Sequence, residues 1–284
     1  MNLESHARNH RAGGRRVVET LALSGLFLLA PAYSADNING QVLGGGAPIA
    51  NSMVTLWAAS AGAPKQLAQA RTDADGRFAM SVTSARGADS SLYLVAQRGQ
   101  PAANKASGDN PRIALMTVLG AKPPAKVTIN EMTTVASVWT HNQLIDGTAI
   151  KGQPLQLKIA AGNVPSFVHL ETGGWGTTIQ DPLNSSQTPT MANFATLANA
   201  LAGCVTRVTS DACDKLLTAA ATPKGEVPAD TLTAAQSSRS TRGTSRGACS
   251  RCSKPSIRSP RARPCARCRT CHTSSSRRAL GCCR

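Results

Sequence analysis

From Ile38 onward the chain alternates short apolar runs with turn residues, and the alternation has the two-residue period of strands. The pattern predicts strands at Ile38–Leu43, Ser52–Ala58, Leu67–Thr72, Arg77–Val82 and Ser91–Gln97. Within Ser52–Ala58, Met53, Thr55 and Trp57 alternate with Val54, Leu56 and Ala58; in Ser91–Gln97, Leu92, Leu94 and Ala96 share a face. Turn chemistry separates them at Gly44-Gly-Gly-Ala-Pro48, Asp73-Ala-Asp-Gly76 and Gly87-Ala-Asp-Ser90. Asp75-Gly76 suits a turn that needs positive φ, which glycine supplies without steric cost. Gln100–Asn110 reads as a linker or long loop, with further strands at Ile113–Leu119 and Lys126–Ile129. The expectation for 35–129 is a small antiparallel β-sandwich with trailing strands.

Past Asn130 the period lengthens. Met132, Val135, Trp139 and Gln143 stand three and four apart, which predicts a helix over Asn130–Leu144. Leu155–Ala161 predicts another. A third starts at Thr188-Pro-Thr-Met191, carries Phe194, Leu197, Ala198 and Leu201 on one face, and stops before Gly203. Asp211–Ala220 and a helix opening at Pro228-Ala-Asp-Thr231 complete a mainly α-helical segment over 130–236. Cys204 and Cys213 flank a short loop between two of these helices and are predicted to form a disulfide. Closing so short a loop contributes about 2–3 kcal/mol in the chain-entropy view.

The N-terminus bears on compartment. Arg8, Arg11, Arg15 and Arg16 precede an apolar run from Val17 to Pro31, and Ala32-Tyr-Ser34 places small residues before a cut between Ser34 and Ala35. This is the layout of a secretory signal peptide over 1–34, and the run is too short for a membrane span. The expected location is the periplasm or outside the cell, with no transmembrane segment in the mature chain.

Gly40-Gln-Val42, Pro48-Ile-Ala-Asn51 with Val54-Thr-Leu56, and Thr72-Asp-Ala-Asp-Gly-Arg-Phe78 resemble the carboxypeptidase regulatory-like, or transthyretin-like, β-sandwich family over about 37–98. The resemblance implies an accessory or adhesive module without catalytic residues, with Asp73, Asp75, Gly76 and Phe78 forming its hairpin motif. Asp73 to Gly76 also mimics the opening of a calcium loop, but position twelve is Ser84 where an EF-hand needs Glu, so a structural turn is favoured. Trp57 and Phe78 are expected in the core. Farther on, Asn130-Glu-Met-Thr-Thr-Val-Ala-Ser-Val-Trp139, Ala160-Ala-Gly-Asn-Val-Pro165, Gln180-Asp-Pro-Leu-Asn-Ser-Ser-Gln-Thr188, Leu201-Ala-Gly-Cys-Val205 and Asp211-Ala-Cys-Asp214 resemble a group of exported bacterial proteins. In that group such a module and a cysteine-bearing helical segment precede a β-propeller of NHL-repeat or streptogramin-lyase-like type. The resemblance implies that any ligand-binding or lyase-like activity belongs to a propeller this chain lacks.

Catalytic motifs are sparse. There is no G-x-S-x-G, H-E-x-x-H or P-loop. His141 and His169 are the only histidines in 35–236, and His169-Leu-Glu171 offers two metal ligands without a third at suggestive spacing. Glu171-Thr-Gly-Gly-Trp-Gly176 and Gln180–Ser186 read either as a binding edge or as packing corners.

Charge divides the chain unevenly. Of the formal +16, the 48 residues 237–284 hold 13 Lys/Arg with no Asp or Glu and seven of nine cysteines. With Ile257 and Leu280 as its only large aliphatics, this tail is expected to be disordered. Cys249, Cys252, Cys265 and Cys268 have zinc-ribbon spacing, and Cys268-Arg-Thr-Cys271-His272 matches a haem-attachment pattern. Neither has the apolar surroundings such a site needs. The composition also fits GC-rich DNA read out of frame: permitted codons from Ser237 let a neighbouring frame encode VAINPWYQPGRLFALLEAFYPVP, which would extend the preceding helix. The leading functional expectation is an exported, non-enzymatic binding or structural module of the cell envelope, adhesion-like or accessory to carbohydrate or another ligand. It predicts no cofactor, no metal and no nucleic-acid partner. The alternatives are the N-terminal part of a propeller protein, and a zinc- or haem-binding protein acting through the tail.

Overall fold

The computed structural model describes residues 36–82 and 89–238. Ser34, the cleavage partner Ala35, and the tail cysteines Cys249, Cys252, Cys265 and Cys268 lie outside the described residues. The strands are β1 (Asp36–Gly44), β2 (Ala47–Ala50), β3 (Met53–Ala59), β4 (Lys65–Arg71), β5 (Arg77–Val82), β6 (Ser91–Gln97), β7 (Gln100–Pro101), β8 (Ala114–Gly120) and β9 (Lys126–Ile129). They form two sheets. One runs β5-β1-β2-β7 with β9 parallel to β1, and the other is the antiparallel order β4-β3-β6-β8. A short hairpin, β10 (Ile145–Asp146) with β11 (Ala149–Ile150), stands apart.

The predicted strands recur within a residue or two. Alternation misses β2 because Gly44–Pro48 reads as turn, yet the tight positive-φ residues Gly45 and Gly46 leave Ala47–Ala50 free to pair. The Asp73–Gly76 turn is as its chemistry requires. The Asp73 carboxylate accepts from the Asp75 and Arg77 amides at 2.9 and 2.8 Å, and Gly76 sits at φ 70°. With Oδ1 committed to backbone donors, Asp73 acts as a turn former.

Side chains from both sheets meet in one apolar cluster: Ile38, Val42, Phe78 and Ile129 from the first, with Leu56, Leu92, Leu94 and Leu115 from the second. The alternate residues of β6 and β8 leave through the opposite face. There Tyr93, Val95, Met116 and Val118 join a second cluster built on helices. β6 is therefore buried on both faces, which explains its near-continuous apolar run.

The helices are α1 (Glu131–Thr140), α2 (Pro154–Gly162), α3 (Thr177–Gln180), α4 (Pro182–Ser185), α5 (Thr190–Thr206), α6 (Ala212–Ala219) and a final α7 over 231–238. Asn130 caps α1 reciprocally with Thr133, ending the β9 extension and starting the helix. α5 passes through Gly203, where a stop was expected, and ends at Arg207 in the left-handed region, φ 50°. Gly203 is tolerated because burial of Leu201, Cys204 and Val205 outweighs the ~1 kcal/mol propensity cost of one glycine. Cys204 and Cys213 are joined, tying α5 to α6.

The outer edge of β8 is closed by hydroxyls in place of a further strand. Met116 N donates to Thr134 Oγ1 at 3.0 Å and Val118 N to Ser137 Oγ at 3.1 Å, both from α1. Thr133 Oγ1 donates to Met116 O at 3.1 Å. From α7, Thr231 Oγ1 accepts from Ala114 N at 3.0 Å and donates to Ala114 O at 2.7 Å. A sheet edge that would invite pairing with another chain is thus satisfied internally.

Candidate functional site

A cleft of about 1180 Å³ opens where β8 ends. Its walls are the β8 exit (Leu119–Lys122, Pro124), the entry to β6 (Asp89–Ser91), α2, and the segment from Pro165 through Thr177. The last of these folds back on itself: Val168 bridges Trp175, His169 N donates to Gly174 O at 2.9 Å, and Gly173 N to His169 O at 2.8 Å. Gly176 allows the closure, since a Cβ there would stand 2.4 Å from Pro165 O and 2.8 Å from the Phe167 carbonyl carbon. The fold-back is fastened to the sheet by Thr128, whose Oγ1 donates to Glu171 O at 2.7 Å, and to the α1 cap by Asn130 Nδ2 donating to Gly173 O at 3.0 Å.

The two sequence readings of Glu171–Gly176 describe opposite sides of the same loop. Trp175 packs at 5.6 Å from Phe194, as a packing corner does, and also lines the cleft. His169 and Glu171 line it too. Among the described residues no group of three or more His, Cys, Asp or Glu converges on a point that could hold a metal. Leu183, from Gln180–Ser186, is exposed away from the cleft lining.

Apolar side chains among the lining include Leu119, Leu157, Ala161, Val168 and Trp175. Ser91 is 95% buried at 5% exposure, and its Oγ has no hydrogen-bond partner among the described residues. Such a buried hydroxyl without a partner costs about 1–3 kcal/mol, and it sits behind the lining, out of reach of the cleft. Lys122 and Lys158 stand exposed at the mouth. The ion pairs among the described residues join Arg77–Asp75, Arg98–Asp109 and Lys215–Asp211, and include neither lysine. Sequence reasoning missed this site because its parts come from four separate stretches. The one part it singled out is the Glu171–Gly176 loop, and α2 carries a further sign in Leu155, which lines the cleft at 67% exposure.

Two buried titratable groups lie away from the cleft. Glu131 accepts from Gly45 N at 2.9 Å, and burial pushes its carboxyl up to about 7. His141 is buried, and desolvation pushes its imidazole down to about 4. Its Nδ1 lies 2.8 Å from Thr140 Oγ1 and 3.2 Å from the Ser137 carbonyl. The two act oppositely on stability. His141 binds its proton more readily unfolded, so stability is lost as pH falls from 6.5 toward about 4. Glu131 binds its proton more readily folded, so stability is gained as pH falls from about 7 toward 4.5. Each contribution is ~3 kcal/mol, so they nearly cancel in the shared window. Glu131→Gln removes one side of the balance. Urea midpoints of this variant are expected to fall by ~3 kcal/mol equivalent between pH 6.5 and 4 while the wild type changes far less. Parallel curves for the two proteins would contradict the assignment.

No family model matches the chain, and no curated protein matches it. Among solved structures, it is similar to a 9R-lipoxygenase from Cyanothece PCC8801 at 16% identity and a TM-score of 0.21. That match covers 36% of this chain and 17% of the lipoxygenase, and a likeness of this size carries no argument about fold or activity.

Proposed function

We propose that the protein is an exported, non-enzymatic binding module of the cell envelope. Its two sheets make a transthyretin-like β-sandwich, and its ligand enters the cleft between the β8 exit, α2 and the Trp175 fold-back. The single observation that carries this reading is the cleft itself. It has apolar lining residues, a half-buried tryptophan and a few charged groups at its mouth, the ordinary make-up of a small-molecule site. The Cys204–Cys213 disulfide suits an oxidising compartment. Among the described residues no helix is long and apolar enough to cross a membrane.

Expression of the full chain in a Gram-negative host tests the export half. Intact-mass analysis of the periplasmic fraction is expected to find a mature N-terminus at Ala35 and a Cys204–Cys213 bond. Cytoplasmic protein retaining residues 1–34 with both thiols free would sink it.

A further inference from the structure

The geometry points to an amphiphilic anion as the ligand of this cleft: an apolar, partly aromatic body with one carboxylate, sulfonate or phosphate head, the head held by Lys122 and Lys158. This assignment rests on the cleft being a binding site and adds what it selects.

The body follows from the apolar lining. Leu119, Leu157, Ala161 and Val168 offer no hydrogen bond, and Trp175 is held in place by its ring contact with Phe194. Removing a hydrocarbon or aromatic body from water against these groups is favourable in proportion to the area buried. The head follows from the lip. Gly120 and α2 touch, so that a Cβ on Gly120 would lie 3.4 Å from Ala161 Cβ. Lys122 follows Gly120 by two residues, and Lys158 precedes Ala161 by one helical turn. The two lysines therefore flank one point of contact, and neither has an ion-pair partner among the described residues. Their long stems can lie along the apolar wall while the ammonium groups bend to a head at the mouth.

Two carboxylates also line the cleft. Glu171 belongs to the opposite lip, where Thr128 anchors its backbone. Asp89 stands three residues before Leu92, which pairs with Gly120, and so shares the lysine side. Its short side chain cannot follow a head as the lysines can, but its charge opposes an anion there. Asp89 is thus the group that tempers the affinity.

Two matched fluorescent probes test this. 1-Anilinonaphthalene-8-sulfonate and N-phenyl-1-naphthylamine share one aromatic body, and only the first has an anionic head. Titrations of the mature protein, read by probe emission and by energy transfer from tryptophan, are expected to show the sulfonate binding at least tenfold tighter. Lys122→Gln/Lys158→Gln, two exposed positions that leave the fold intact by near-UV circular dichroism, should abolish that preference. Asp89→Asn should strengthen sulfonate binding severalfold and leave the neutral probe unchanged. Equal affinity for both probes in the wild type, unmoved by the lysine changes, overturns the anion assignment while the cleft stands as a site. Binding of neither probe, or binding untouched when Ala161→Phe fills the cleft, overturns both.

Discussion

Phe194→Ala is expected to destabilise the protein by ~3–5 kcal/mol, the upper range for a single core truncation. Phe194 is fully buried on α5, where the helical face joins the outer side of the β3-β6-β8 sheet. Three rings converge on it. Trp139 meets it edge-on at 5.3 Å, Phe167 stacks on it at 5.9 Å, and Trp175 tilts against it at 5.6 Å. Alanine leaves a void lined by groups from α1, the fold-back and α5, and each ring also loses an aromatic contact of about 0.5–1.5 kcal/mol. Because the rings are stiff and come from two elements, α1 and the fold-back, local collapse recovers little. Trp175 loses its backing as well, so probe affinity in the cleft should fall with stability. Denaturant titration measures the first effect. A loss under 1 kcal/mol would mean that the aromatic cluster is not the keystone of the helical layer. Phe194→Leu, which keeps most of the volume, should lose no more than about half as much.

The second large effect is expected from Thr134→Val combined with Ser137→Ala. Each change keeps the helix but strips an acceptor from a buried strand amide, Met116 N in one case and Val118 N in the other. An orphaned buried donor costs about 1–3 kcal/mol, so the pair should cost ~2–6 kcal/mol. Valine nearly matches threonine in shape, which separates the missing hydrogen bond from any cavity. Thr134→Ser, which restores the hydroxyl, should recover most of the loss. If the double variant is as stable as wild type, α1 holds the β8 edge by apolar contact alone.

Strands were legible from alternation, because burial of one or both faces writes itself into neighbouring positions. β2 was not, since a four-residue strand that starts behind three glycines has too few side chains to show a period. The hydroxyl edge was hidden for a related reason. Thr133, Thr134 and Ser137 look like indifferent helix residues, and their partners lie 17 to 19 positions upstream. Of the cleft, only the Glu171–Gly176 loop drew notice. Lys122, Lys158 and Ser91 carry no motif, and only the packing of Gly120 on Ala161 brings the two lysines together.

The bond from Thr231 to Ala114 spans 117 residues, and its timing matters as much as its strength. During synthesis β8 emerges long before its last covering group. Until α7 has left the ribosome, Ala114 presents a free amide and carbonyl at the end of an otherwise buried strand. Closure of this kind is slow because distant segments must meet before they are rewarded. A protease would find that gap in any chain ended before residue 231.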